Sequence, residues 1–212
     1  MKFSILTLAS GVLVSSSLIL SGCGKSADQI AQDARNVVQN ESNRASSTSW
    51  ISDCQVQGLP GIAMTEKEIF DISPQHATKK VIYFSDTKCN DVSFVVQYKG
   101  TAQIHDGDPQ NKNAKTIDFS FQQVTLTPVT DVTKGLLNTG SICGISNYQT
   151  NTETDITSGS GKATCPSKGA RSTYNVILIN GNHMYLGGDG DQTDANERPS
   201  QVDTNKPFTR QG

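Results

Sequence analysis

From Trp50 onward, apolar and polar residues alternate with a period of two, which is the pattern of half-buried strands. Trp50, Ser52, Cys54 and Val56 share one face of the first segment, and Ile51, Asp53, Gln55 and Gln57 share the other. Gly58-Leu59-Pro60-Gly61 turns the chain, a long strand is expected over 62–72, and Ser73-Pro74-Gln75-His76 turns it back. Segment 78–84 sets Val81 and Tyr83 against Ile82 and Phe84, and Ser85-Asp86-Thr87-Lys88 leads on to Cys89. Segment 92–104 carries the strongest strand signal, with Phe94, Val96 and Tyr98 on one side. A polar loop at 105–115 precedes a strand over 117–126 with Ile117, Phe119 and Phe121 in phase. Two further strands are expected, over 142–148 and 173–179, and the run Val176-Ile177-Leu178-Ile179 reads as buried on both sides. Asn180-Gly181-Asn182 is a tight hairpin turn into a last strand at 183–186. After Gly187 the chain is polar and is expected to wrap the outside, pinned by Pro199, Pro207 and Phe208.

Three places break the alternation. Gly100 inside its strand marks a bulge or bend, and at Gln122-Gln123 the phase slips before Val124 and Leu126, a second bulge. Residues 130–138 read as one short internal helix. Near the N-terminus, Ser26-Ala27-Asp28-Gln29 can cap a short tether helix in which Ile30, Ala34, Val37 and Val38 recur at helical spacing. The expectation is an all-β domain of about eight antiparallel strands, a sandwich or a barrel. The hairpin-rich order and the size of the region resemble an up-and-down, lipocalin-like barrel. Lipocalins open with Gly-x-Trp on the first strand; here the positions read Thr48-Ser49-Trp50, without the glycine. The resemblance implies Trp50 as a barrel plug, and the residues alone are equally met by a plain core tryptophan.

Ahead of the domain, Met1-Lys2-Phe3-Ser4 is followed by an apolar run from Ile5 to Leu20 and then by Leu20-Ser21-Gly22-Cys23. This resembles the lipobox of bacterial lipoproteins. The resemblance implies cleavage before Cys23 and acylation of its thiol and new amino group with palmitate-type chains. Several chains on one residue are enough for stable anchoring. Gly24, where an Asp would mark inner-membrane retention in enteric-type bacteria, implies the outer membrane. The expected organisation is a lipoprotein signal peptide over 1–22, an acylated tether over 23–48 and one disulfide-bonded barrel domain over 49–212. The run is short and Ser-rich for a membrane span, and an ordinary secretory signal or an uncleaved anchor is the plainer alternative.

Charge adds one exclusion. The chain has 18 Lys and Arg against 20 Asp and Glu, and removing 1–22 takes only Lys2, which moves the net charge from −2 to −3. A surface so near neutrality is not that of a nucleic-acid-binding protein or of a polybasic membrane patch. Beyond Cys23 four cysteines remain, Cys54, Cys89, Cys143 and Cys165. In an exported chain an even number points to two disulfides. None forms a C-x-x-C pair, and three pairings are open. Nearest neighbours along the chain favour Cys54–Cys89 and Cys143–Cys165.

Candidate chemistry is sparse. The loop Gly187-Gly188-Asp189-Gly190-Asp191-Gln192-Thr193-Asp194 could supply calcium with oxygen ligands from Asp189, Asp191 and Asp194. As an EF-hand it fails at the sixth position, Asp194 instead of Gly, and at the twelfth, Ser200 instead of Glu. A solvated turn is the default. His76, His105 and His183 are scattered, and only His105, near Asp106 and Asp108, hints at a metal. Ser158-Gly159-Ser160-Gly161-Lys162 lacks the first glycine of a phosphate loop, which falls on Ile156. No nucleophile elbow is present. The expectation is a non-catalytic protein without cofactor. It would act as a structural or interaction module that meets the membrane through its anchor and an envelope or external protein through its loops. The alternative is a lipocalin-like binding protein for a small apolar ligand or lipid. An interior cavity would favour the alternative; a core filled by Trp50, Phe94, Phe119 and Val176 would favour the first.

Overall fold

The computed structural model describes residues 48–211 except 60–61, 74–75, 107–112, 160–161, 163, 167–170 and 189–191. The expected signal peptide, Cys23 and the expected tether helix lie outside the described residues. The strands are β1 (Thr48–Ser52), β2 (Gln55–Leu59), β3 (Ile62–Ile72), β4 (Ala77–Phe84), β5 (Val92–His105), β6 (Lys115–Pro128), β7 (Thr154–Asp155), β8 (Ser172–Asn180), β9 (His183–Leu186) and β10 (Phe208–Gln211), with one α-helix, α1 (Asp131–Thr139), between β6 and β7. All described pairings are antiparallel. β3, β4, β5, β6, β8, β9, β10 and β1 follow one another around the sheet, and β1 also pairs with β3, which closes a ring of eight strands. The fold is therefore an all-β, up-and-down barrel, lipocalin-like in its broad plan. It is an uneven one: β5 and β6 have 14 residues each, β9 and β10 only four.

Both expected phase breaks are one bulge. β5 and β6 pair Lys99 with Gln123 and Gly100 with Phe121, so Gln122 is the extra residue. Side chains before it (Ile117, Phe119, Phe121) and after it (Val124, Leu126) thereby face the same interior although their parity differs. Gly100 is required here, because a Cβ would collide with the backbone carbonyl oxygen of Ser120. The hairpin between β8 and β9 has Gly181 and Asn182 as its two central residues, with positive φ at Gly181 (60°) alone, the type II′ pattern.

Three expectations are corrected. Residues 142–148 are not a strand but a 3-10 turn, Ile142–Gly144, followed by irregular chain. Ser141, Cys143 and Gly144 all have positive φ (45°, 55° and 79°), which no strand accommodates. Asn138 at the end of α1 then grips the returning chain, its side chain accepting from Tyr148 N (2.7 Å) and donating to Tyr148 O (3.1 Å). The tail after Gly187 does run outside the barrel, but it ends as a ring strand, β10, with Phe208 inside. The run 176–179 is not buried throughout, since Ile179 is 52% exposed.

Two clusters fill the interior. One joins Trp50, Phe70, Phe119, Met184 and Phe208; the other joins Val81, Phe94, Val96 and Leu126 to Leu137 of α1, Tyr148 and Ile156. Trp50 is thus a barrel-interior residue, 2% exposed. The Cys143–Cys165 disulfide fastens the crossover that lies over the second cluster, and Cys54–Cys89 fastens the break between β1 and β2 to the β4–β5 loop.

An up-and-down ring alternates its loops between two ends. The chain enters β1 at one end, together with the β3–β4, β5–β6 and β8–β9 connections. The β1–β3 link, the β4–β5 loop, the crossover after β6 and the β9–β10 tail gather at the other.

Candidate functional site at the barrel mouth

The second end opens into a cavity of about 390 Å³. Its walls follow from strand periodicity. On β3, Glu66, Glu68 and Phe70 alternate inward, and across the ladder they face Tyr83, Val81 and Lys79 of β4. Glu68 and Lys79 form an ion pair (3.0 Å) whose side chains are 24% and 11% exposed. The Lys79 ammonium also lies 5.4 Å from the centroid of the Phe70 ring. Glu66 is only 6% exposed. Tyr83 stacks on Phe94 (4.5 Å). Burial, reinforced by the neighbouring Glu66 carboxylate, pushes its phenol well above the ordinary tyrosine value. Tyr98 and Phe121, 5.4 Å apart, continue this wall.

The opposite wall comes from β8, four strands round the ring from β3. Thr173 and Asn175 of this strand, with Arg171 just before it, share one parity and line the cavity. The Asn175 carboxamide oxygen accepts from the backbone N–H of Val176 (2.8 Å) and Gly187 (2.7 Å), so its orientation is set. Asp203 and Lys206, from the tail before β10, complete the rim. The lining therefore carries three carboxylates and three cations beside aromatic rings. The interior is neither a solid core nor a purely apolar pocket.

The residues singled out from sequence do not assemble here. The four cysteines form the two nearest-neighbour disulfides. Asp189 and Asp191 lie outside the described residues; Asp194 caps the 3-10 turn Ala195–Glu197, accepting from Asn196 N (2.8 Å). His105 contacts Asp118 (3.2 Å) across the β5–β6 hairpin, while Asp106 pairs with Lys115 (2.9 Å). His183 is exposed beside Tyr185, and His76 is exposed in the β3–β4 turn. Gly159 packs against the backbone of Cys143, a structural position that explains the glycine without any phosphate. Among the described residues no group of three or more His, Cys, Asp or Glu could hold a metal ion.

Sequence reasoning passed over Glu66, Glu68, Lys79, Arg171, Thr173 and Asn175. The signal for the first two was available: Met64, Glu66, Glu68, Phe70 and Ile72 share one parity, so two acids sit in phase with apolar interior positions. No protein-family model matches the chain, and no curated protein matches it either.

Proposed function

We propose that this protein is a lipid-anchored envelope lipoprotein, acylated at Cys23 and held at the outer membrane, whose barrel is a non-catalytic binding module. The observation that supports it is the placement of the cavity. The chain enters β1 at Thr48, at one end of the barrel, and the cavity opens at the other. The tether expected over residues 23–48 would therefore turn the open mouth away from the membrane, toward a soluble ligand or a protein partner. Between a solid interaction module and a ligand-binding barrel, the cavity supports the second. Its charged lining does not favour pure hydrocarbon, because such a ligand would strip water from Arg171 and Lys206 without replacing their hydrogen bonds.

Mass spectrometry of the mature protein purified from membranes tests the anchor. The expected product starts at Cys23 and carries three acyl chains; an unmodified N-terminus, or a Cys23→Ala variant that stays membrane-bound, would contradict it. Photo-crosslinkers at Gln55 and Lys206, against controls at Gly181 and Thr101, test the outward mouth. Crosslinks are expected from the mouth pair, and crosslinks confined to the controls would reverse the orientation.

A further inference from the structure

Resting on the binding-module reading, we infer that the cavity takes a small anionic ligand: a carboxylate or phosphate head group held by the β8 wall, with an aromatic or apolar body against β3, β4 and β5. Three observations, on the β8 wall and the rim beside it, carry it. Arg171 and Lys206 line the cavity, and neither forms an ion pair or side-chain hydrogen bond among the described residues. Thr173, of the same parity as Arg171 and Asn175, is 3% exposed and its hydroxyl has no hydrogen-bond partner among the described residues. Buried polar groups in folded proteins are almost always paired, so an orphan hydroxyl in a cavity wall marks a place where a partner belongs. Asn175 has its carbonyl oxygen occupied by two backbone N–H groups, which leaves its NH₂ as the side that can donate. Guanidinium, hydroxyl, carboxamide NH₂ and ammonium are all donors, and an anion with several acceptor oxygens is the chemistry that satisfies them together.

The opposing groups fit the same assignment. Asp203 is the carboxylate nearest this wall in sequence, and it already accepts from the backbone N–H of Asn205 (2.9 Å). Glu66 and Glu68 stand on β3, across the ring, and Glu68 is neutralised by Lys79. Phe70, Val81, Tyr98 and Phe121 offer ring and aliphatic surface for the body of the ligand. Placed polar groups beside ring and aliphatic surface are what fix the orientation of a small molecule in its site. The volume, about 390 Å³, suits a molecule of one or two rings.

Calorimetric titration of the full mature domain with phenylacetate, phenyl phosphate, phenylacetamide, phenethylamine and inorganic phosphate tests the assignment. Phenylacetate or phenyl phosphate should bind at least about tenfold tighter than phenylacetamide, a difference of roughly 1.4 kcal/mol. The tighter of the two identifies carboxylate or phosphate as the head group. Arg171→Gln and Thr173→Val should each erase most of that preference, with melting temperatures confirming that both variants fold. Equal binding of phenylacetamide, tighter binding of phenethylamine, or no saturation by any probe in the millimolar range overturns the anion site. If the probes fail while mouth crosslinkers still capture a partner, the binding-module reading stands without it. If inorganic phosphate binds as tightly as phenyl phosphate, the aromatic wall plays no part and the assignment of the ligand body falls.

Discussion

Arg198 Nη2 lies 2.7 Å from Asp118 Oδ1, joining residues 80 positions apart. The same guanidinium donates through Nη1 to the backbone carbonyls of Asn175 (2.8 Å) and Ile117 (3.1 Å), and it lies 5.4 Å from the centroid of the Tyr174 ring. The contact thus spans the β6–β8 seam and fastens the tail that runs outside the barrel before returning as β10. A planar fork matches two carbonyls and a carboxylate at once, which an ammonium cannot do. Arg198→Ala should lower unfolding free energy by about 2–3 kcal/mol, because it removes three hydrogen bonds from a charged donor and leaves Asp118 only its contact with His105. Urea denaturation measures it, and Arg198→Lys should recover less than half of the loss.

Gly100 faces the bulge at Gln122, and the backbone of Ser120 occupies the space a Cβ would need. Neither strand can retreat, since both are held by their outer neighbours β4 and β8. Gly100→Ala should cost at least about 2 kcal/mol by the overpacking it forces. Stability unchanged in urea would mean that the two backbones are further apart than this.

Strand 92–104 is legible because Phe94, Val96 and Tyr98 alternate on one face, and the bulge because Gly100 and the slip at Gln122-Gln123 break the period on both partners. Residues 142–148 misled because Ile142, Cys143, Ile145 and Tyr148 are apolar for another reason: they cover the second interior cluster from a loop. The backbone that makes this loop has positive φ at Ser141, Cys143 and Gly144, and such sites leave no periodic trace. β10 was hidden because only Phe208 of its four residues is buried, so Thr209, Arg210 and Gln211 read as tail. The cavity was half-legible. The in-phase acids of β3 show in sequence, but the facing wall depends on which strand lies across the ring, and topology alone decides that.

Cys143 and Cys165, 22 positions apart, hold the crossover over the second interior cluster. Replacing both with alanine should lower stability by about 3 kcal/mol, most of it by releasing the unfolded chain. Removing Cys54 and Cys89, 35 apart, should cost a similar amount and also loosen the β1–β2 break beside Gln55 at the mouth. Non-reducing peptide mapping checks the connectivity, and a Cys54–Cys143 peptide would contradict it. Denaturation of the two double variants separates their effects. Equal loss of ligand or partner capture in both would show that the mouth does not depend on the Cys54–Cys89 clamp in particular.

Two of the five tyrosines are held neutral by the fold. Burial raises the Tyr83 phenol above its ordinary value of 10.0, with the Glu66 carboxylate adding to the shift. Burial also raises Tyr148, whose hydroxyl donates to Ile142 O (3.0 Å). The sign follows from linkage: an acid whose folded pKa is raised leaves stability intact below the unfolded value and removes it as pH climbs beyond. Stability should therefore fall as pH rises past about 10, where the unfolded chain ionises these phenols and the folded chain does not. Near-ultraviolet titration should show the Tyr83 tyrosinate signal appearing only with the unfolding transition. Tyr83→Phe should flatten the alkaline decline while leaving stability near neutrality little changed, since the phenyl ring keeps its stacking on Phe94. An unchanged alkaline slope in that variant would place the loss on other groups.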